Sequence, residues 1–456
     1  MKVAKKRIIS DSIILLVLIL IMVLYLCNIN AVDKKKCTII LANLAIIVIS
    51  IIEIVKDDKK FSINKCFWYF NLFFFGITPI FQYISGYFPW SYYLSDNIFE
   101  ISNIMLLIWI VIYKITYRYT KCSKSKSKNR KVHISKETLN ICLILSIISV
   151  IVLILLVGGV NNLFLRATNN IDLGDNLVNS IITKLVRSIP AYTVVFYVLA
   201  VKKNIVKASK IKIVLLIILT VLVNFPVSVT RYWMGTIFIG IILVMSKERM
   251  KYRWFDYLMI FIFAIAFPFS YVFKWIDITN ITNITANFDI SNVYNSVDFD
   301  AYSLLGRIID YTNKEGAMLG KQLSSSAFFF IPRAIWNAKP IPTGVMVPMK
   351  QGADYINLSS PLVAEAYVDF GIIGIIIYSF IIARLIKYLD FKYWSINDKN
   401  VYYLDIIYPF LIGFSIFLFR GSLQPVVTHM FAFFLFLIIV YIVQLVVYGG
   451  KMNGKN

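Results

Sequence analysis

The chain has 456 residues, of which 59% are hydrophobic and only 16% charged, with a mean hydropathy of +0.75. Soluble domains carry roughly 45–50% apolar and about 25% charged residues, so this composition excludes an ordinary soluble enzyme and points to a bilayer. The formal net charge of +23 would suit a nucleic-acid partner, but the basic residues sit between apolar blocks, where they act as orientation signals instead.

Those apolar blocks recur along the whole chain. A helix rising about 1.5 Å per residue needs about 20 apolar residues to cross a hydrocarbon core of roughly 30 Å. Spans are predicted at 8–28, 38–55, 66–84, 98–116, 140–157, 186–201, 211–227, 232–246, 255–275, 362–384, 403–420 and 427–447. The runs lack the period-2 alternation of a barrel strand, and lipid requires every backbone polar group to be satisfied internally, so the spans are helices. The first is read as a retained helix, because Cys27-Asn28-Ile29 offers no small-residue cleavage site. The expected fold is an all-α integral membrane protein of about twelve transmembrane helices, forming one polytopic domain over 1–456.

Charge orients the bundle. With the N-terminus in the cytoplasm, 32 of the 47 Lys and Arg fall in cytoplasmic segments, whereas loop 85–97 on the other side has none. This bias predicts that both termini are cytoplasmic; Lys34-Lys35-Lys36 runs against it. Residues 117–139 read as a basic cytoplasmic linker able to touch anionic headgroups. The cysteines (27, 37, 66, 122, 142) and the two histidines, His133 and His429, show no metal-ligand spacing. No phosphate loop, GxSxG elbow or HExxH is present, so neither cofactor nor metal is expected, and no nucleic acid.

The largest predicted extracytoplasmic segment is 276–361, between helices 9 and 10. Asn280 to Asn295 is polar and reads as irregular loop; Phe299 to Tyr311 and Leu323 to Ile331 have helical spacing and read as amphipathic helices on the bilayer surface or over the bundle mouth. Phe328 to Gly344 contains three prolines and places Arg333 and Lys339 beside Trp336 in a turn-like segment. The next span carries Glu365 and Asp369 four residues apart, on one helix face. A carboxylate in lipid costs about 2.5–3.5 kcal/mol, so this face should look into the bundle; a solvated first turn is the other reading, weightiest for Asp369. Arg231 and Arg420 sit at predicted outer turns, and His429 follows in the first turn of the last span. Arginine keeps its charge and suits bidentate phosphate binding, though each could simply snorkel to the headgroups.

The strings Ile331-Pro-Arg-Ala-Ile-Trp-Asn-Ala-Lys-Pro340 and Glu365-x-Tyr-x-Asp-Phe-Gly-x-x-Gly374, with Arg231 and Arg420, resemble the O-antigen polysaccharide polymerase (Wzy) family. Specific motifs cover only the second half of the chain, and the acid at 369 departs from the amide more usual in that family. The resemblance implies a type-C glycosyltransferase bundle. Such an enzyme joins undecaprenyl-diphosphate-linked oligosaccharide repeat units on the outer face of the cytoplasmic membrane, in O-antigen or capsule synthesis, without a metal. Glu365 is then the first candidate base and His429 the second; Arg231, Arg333, Lys339, Arg420 and Asp369 are candidates for substrate binding. A chain-length regulator is a candidate protein partner. A lipid-linked glycan ligase would share the chemistry. A flippase would need charges near the bilayer midplane, whereas these gather at span ends.

Overall fold

The computed structural model describes residues 37–123, 130–165, 177–267, 294, 296–395 and 400–452. The predicted span 8–28, the lysine triplet 34–36, the middle of the basic linker and the polar stretch 280–293 lie outside them. The described residues form helices and no strand; a lone antiparallel bridge joins Lys131 and Tyr402. In chain order the α-helices are α1 (Cys37–Lys56), α2 (Ile63–Phe70), α3 (Thr78–Ser85), α4 (Asp96–Tyr119), α5 (Lys136–Val157), α6 (Leu177–Lys202), α7 (Lys210–Val223) and α8 (Arg231–Ser246). They continue with α9 (Trp254–Phe261), α10 (Ala301–Glu315), α11 (Lys321–Ala327), α12 (Thr343–Lys350), α13 (Leu362–Ser395), α14 (Tyr403–Arg420) and α15 (Leu423–Met452). Starts are marked in the sequence: Ser62, Ser95, Ser135 and Ser209 each accept a backbone N–H of the helix they open, a cap worth about 1 kcal/mol.

Seven helices (α1, α4, α5, α6, α13, α14 and α15) are long and apolar enough to cross a membrane, and α8 and the run Trp254–Ala266 are shorter apolar helices. Exposed isoleucines at helical spacing form lipid-facing stripes, as at Ile141, Ile144, Ile148 and Ile151 of α5. This is an α-helical multi-pass membrane protein. The run predicted as one helix at 66–84 is interrupted: a π-helical turn, Asn71–Ile77, joins α2 to α3. Pro79 cannot donate to the carbonyl four residues back, and the Thr78 hydroxyl takes the Phe73 carbonyl at 2.7 Å, which loosens the turn.

The chain divides into two compact units. The first takes its described residues from Met1–Cys122, Met250–Asp390 and Leu418–Gln424. Its centre is the α2–α3 run, buried without a break over 61–83. Gly76 lets α1 approach, since a Cβ there would meet Ile47 Cγ1 at 2.6 Å. Lys65, one of the 32 basic residues that the charge count assigns to cytoplasmic segments, is fully buried, as is Arg253; Asp256 bridges them at 2.9 and 3.2 Å. The helix predicted near Phe299 is present as α10 but does not lie on a surface. Residues 301–309 are buried, and Gly306 packs so closely on Leu94 that a Cβ would meet it at 2.8 Å. Its Tyr302 hydroxyl donates to Asn103 of α4 at 2.8 Å, and the Asn103 amide is bonded to Asn43 of α1 at 3.1 Å. The helix predicted over Leu323 to Ile331 is shorter and earlier, as α11, and ends where Phe328 to Phe330 turn towards Pro332.

The second unit takes its described residues from Ser123–Arg249, Phe391–Phe417 and Pro425–Asn456. Tyr192, Phe410, Phe433 and Phe436 form its aromatic centre. Helices α8 and α14 cross at glycines: a Cβ on Gly413 would meet the Gly235 carbonyl at 2.6 Å, and one on Gly240 would meet Phe410 at 2.3 Å. Small residues at such crossings let helix backbones approach where lipid offers no hydrophobic drive.

Candidate functional site

In the first unit, α13 is broken. Gly371 has φ 58° and ψ −141°, a region open in practice only to glycine, and the helix changes direction there. A Cβ on Gly374 would meet the Ala366 carbonyl at 2.0 Å, so a second glycine is needed for the limbs to close up. The first limb is buried from Leu362 to Asp369, whereas the second exposes Ile372, Ile373, Ile376 and Ile377. The limb that carries both carboxylates is thus a half-helix enclosed in protein, the setting in which membrane proteins tolerate broken backbone.

Glu365 is 1% exposed and Asp369 fully buried, which removes the solvated first-turn reading for both. Their surroundings differ. Both Asp369 oxygens are engaged, accepting the Gln322 and Leu323 backbone N–H groups at 2.9 and 2.8 Å and capping α11. Glu365 accepts one hydrogen bond on Oε2, from the Thr343 hydroxyl at 2.9 Å, and its Oε1 is buried without a hydrogen-bond partner. The Ser360 hydroxyl and the Leu423 amide lie beside this carboxylate. A buried oxygen left open is costly in a purely structural role and available for a proton.

Three chain segments are tied together around it. The Gly344 amide donates to Ser422 Oγ at 3.1 Å, Leu358 N–H donates to the Gly344 carbonyl at 2.9 Å, and Ser360 N–H donates to the Arg420 carbonyl at 3.2 Å. Glycine is required at 344, where a Cβ would stand 2.2 Å from the Leu358 carbonyl. Arg420 is paired with Asp300 at 2.8 Å, a partner 120 residues earlier in sequence. Asp300, 1% exposed, also accepts the Ser359 hydroxyl at 2.7 Å and the Trp90 indole N–H at 2.9 Å. Arg420 Nε is buried without a hydrogen-bond partner. In the sequence Asp300 is marked only as an acid at a helix start.

Arg333 and Lys339 are turned largely onto their own loop. Arg333 donates to the carbonyls of Lys339 and Pro340 at 2.5 and 3.1 Å, and Lys339 Nζ donates to those of Phe329 and Ile331 at 2.7 and 2.9 Å. Burial, with the Arg333 charge beside it, holds the Lys339 ammonium below the usual lysine range. Arg333 is exposed and Lys339 buried.

In the second unit, Arg231 is the first residue of α8 and half-buried. His429 Nδ1 and the Tyr232 hydroxyl are 2.6 Å apart, and the His429 ring stacks with Tyr232 and Phe417. If the phenol accepts from Nδ1–H, Nε2 keeps a lone pair and can act as a base; if it donates, Nε2 carries the proton. Arg187, passed over in the sequence, is buried in α6 and donates to the Val223 carbonyl at 2.6 Å.

A buried half-helix with an open carboxylate oxygen, followed by an arginine at a helix end, is the arrangement of the C-terminal third. The family model of O-antigen polysaccharide polymerase Wzy matches residues 357–453. No curated protein and no solved structure matches the chain. The Wzy match bears out the resemblance over the string Glu365 to Gly374 and takes in Asp369, Arg420 and His429; Arg231, Arg333 and Lys339 lie outside it. Within the Wzy-matched segment the Gly371 break and the Gly374 close approach give the two motif glycines their physical reason.

Proposed function

We propose that the protein is a polysaccharide polymerase that joins undecaprenyl-diphosphate-linked oligosaccharide repeat units at the extracytoplasmic ends of its helices, a bundle of about twelve spans with both termini cytoplasmic. The observation that carries this reading is Glu365, buried, oriented by Thr343 and left with one open oxygen. In the reaction an acceptor hydroxyl oxygen attacks the anomeric carbon of the donor glycan. The bond from that carbon to the diphosphate oxygen breaks, its electron pair leaves with undecaprenyl diphosphate, and the hydroxyl proton passes to Glu365. A carboxylate suits this role because, held in place, it can take the hydroxyl proton on its free oxygen as the new bond forms.

Negative charge grows on the leaving diphosphate, and a fixed guanidinium stabilises it without reorganisation. Arg420 is assigned that role, aimed by Asp300, with Arg333 offering its remaining donors. Lys339 and Asp369 shape the loop and the half-helix, since their polar atoms are occupied by backbone groups. Arg231 as a phosphate ligand and His429 as the alternative base are tested by their own substitutions. The test in cells is Glu365→Gln: polymer should fall by about 100-fold or more while single lipid-linked units accumulate and the protein stays at normal abundance. Unchanged polymer would remove Glu365 as the base; the same loss in His429→Ala alone would pass the role to that ring.

A further inference from the structure

Within the first unit, one side of the Asp300 cluster continues into an aromatic surface that the proposed chemistry does not use. The Trp90 indole, tethered through its N–H to Asp300, stacks on Tyr355 with ring centroids 4.9 Å apart and planes 6° from parallel. Tyr355 is 52% exposed, so one ring face is open. Trp90 and Ser91 have φ of 63° and 52°, left-handed values that non-glycine residues rarely adopt, so the chain bears backbone strain to hold the indole there.

Tyr92 and Gln351 are near neighbours of Trp90 and Tyr355 in sequence, and Arg307 links the two. Tyr92 donates to Asp310 at 2.7 Å, and Arg307 lies 4.5 Å over the Tyr92 ring and donates to Gln351 at 2.5 Å. Arg307 is 3% exposed, and its Nη1 is buried without a hydrogen-bond partner. Rigid, amphipathic aromatic faces held by a carboxylate, with an amide and a guanidinium brought in by the neighbouring chain, match the two sides of a pyranose ring. Its C–H face lies flat on an arene, and its equatorial hydroxyls need donors and acceptors around the edge.

We infer that the Trp90–Tyr355 stack, with Tyr92, Arg307 and Gln351, is a glycan-binding platform that takes a pyranose ring of the saccharide substrate. The platform rests on the polymerase reading for the source of the sugar, but not for its chemistry. Because Asp300 holds Trp90 on one oxygen and Arg420 and Ser359 on the other, a sugar on the platform is registered against the phosphate-binding end.

The test uses the full chain in detergent or nanodiscs and, as probe, the lipid-free repeat-unit oligosaccharide released by mild acid from the host's own lipid-linked intermediates. Tyr355→Ala should weaken binding of this probe tenfold or more, and Tyr355→Phe should stay within threefold of wild type. Binding of undecaprenyl diphosphate without sugar should be unchanged in both. Equal oligosaccharide affinity in Tyr355→Ala and wild type, or no binding by wild type at all, overturns the platform. Elongation assays separate the two sources of sugar. A raised KM for the first joining marks the incoming unit; a normal first joining followed by a short ladder marks the growing chain. Tyr355-dependent binding in a wild type that never elongates would leave the platform standing and remove the polymerase reading.

Discussion

Glu365 was legible because an acid inside an apolar run is rare and must have a reason; its spacing to Asp369 said that the two share a face. What each carboxylate does was not legible, since Thr343 and the amides of Gln322 and Leu323 reach them from segments far off in the chain. Asp300 was missed for the same reason: its contacts with Arg420, Ser359 and Trp90 are all long-range. As a positioning residue it carries a specific expectation. Asp300→Asn should lower polymer output at least tenfold with insertion unaffected, and its effect should not add to that of Arg420→Lys. Residues in one charged network couple by about 0.5–3 kcal/mol in a double-mutant cycle. Additive losses measured as kcat/KM would separate Asp300 from Arg420. Arg420→Lys alone should restore little, because an ammonium cannot reproduce the guanidinium fork.

At the scale of elements, the sequence located helices well and their interruptions poorly. The run 362–384 read as one continuous span because its hydropathy does not change at Gly371; the break depends on a φ and ψ that only glycine tolerates and on close packing at Gly374. Similarly, α10 was recognisable from its apolar spacing, but its burial against α4 follows from Gly306 and Tyr302 meeting Leu94 and Asn103, which no local pattern encodes. Gly371→Ala should straighten α13 or strain it, and polymer output should fall by more than the drop in protein abundance. A variant with wild-type output per molecule would mean the break has no part in activity. In the second unit, Gly413→Ala should act on stability instead. Its Cβ would press on the backbone of Gly235 and Thr236 at 2.6 and 2.7 Å, an overpacking cost of about 1–3 kcal/mol, readable as a lowered Tm in detergent.

For the whole molecule, composition alone was enough to place the chain in a membrane, and the asymmetry of Lys and Arg supplied an orientation. That bias averages over the chain, so it survives individual exceptions such as Lys65, whose charge is neutralised inside the protein by Asp256 rather than displayed in a loop. Single cysteines placed at the exposed positions 93 and 319, in a background without the native five, should react with an impermeant maleimide in intact cells, and one near 205 should not. The reverse pattern would put Glu365 and Arg420 on the wrong side for an outer-leaflet substrate. The most direct measurement is elongation by the purified chain in liposomes, given lipid-diphosphate repeat units and no nucleotide, added metal or second acceptor. A polymerase predicts a ladder of lipid-linked products differing by one repeat unit, with release of undecaprenyl diphosphate, abolished by Glu365→Gln. Repeat units that stay single in the presence of folded wild-type protein, whether idle or merely moved across the bilayer, would contradict it.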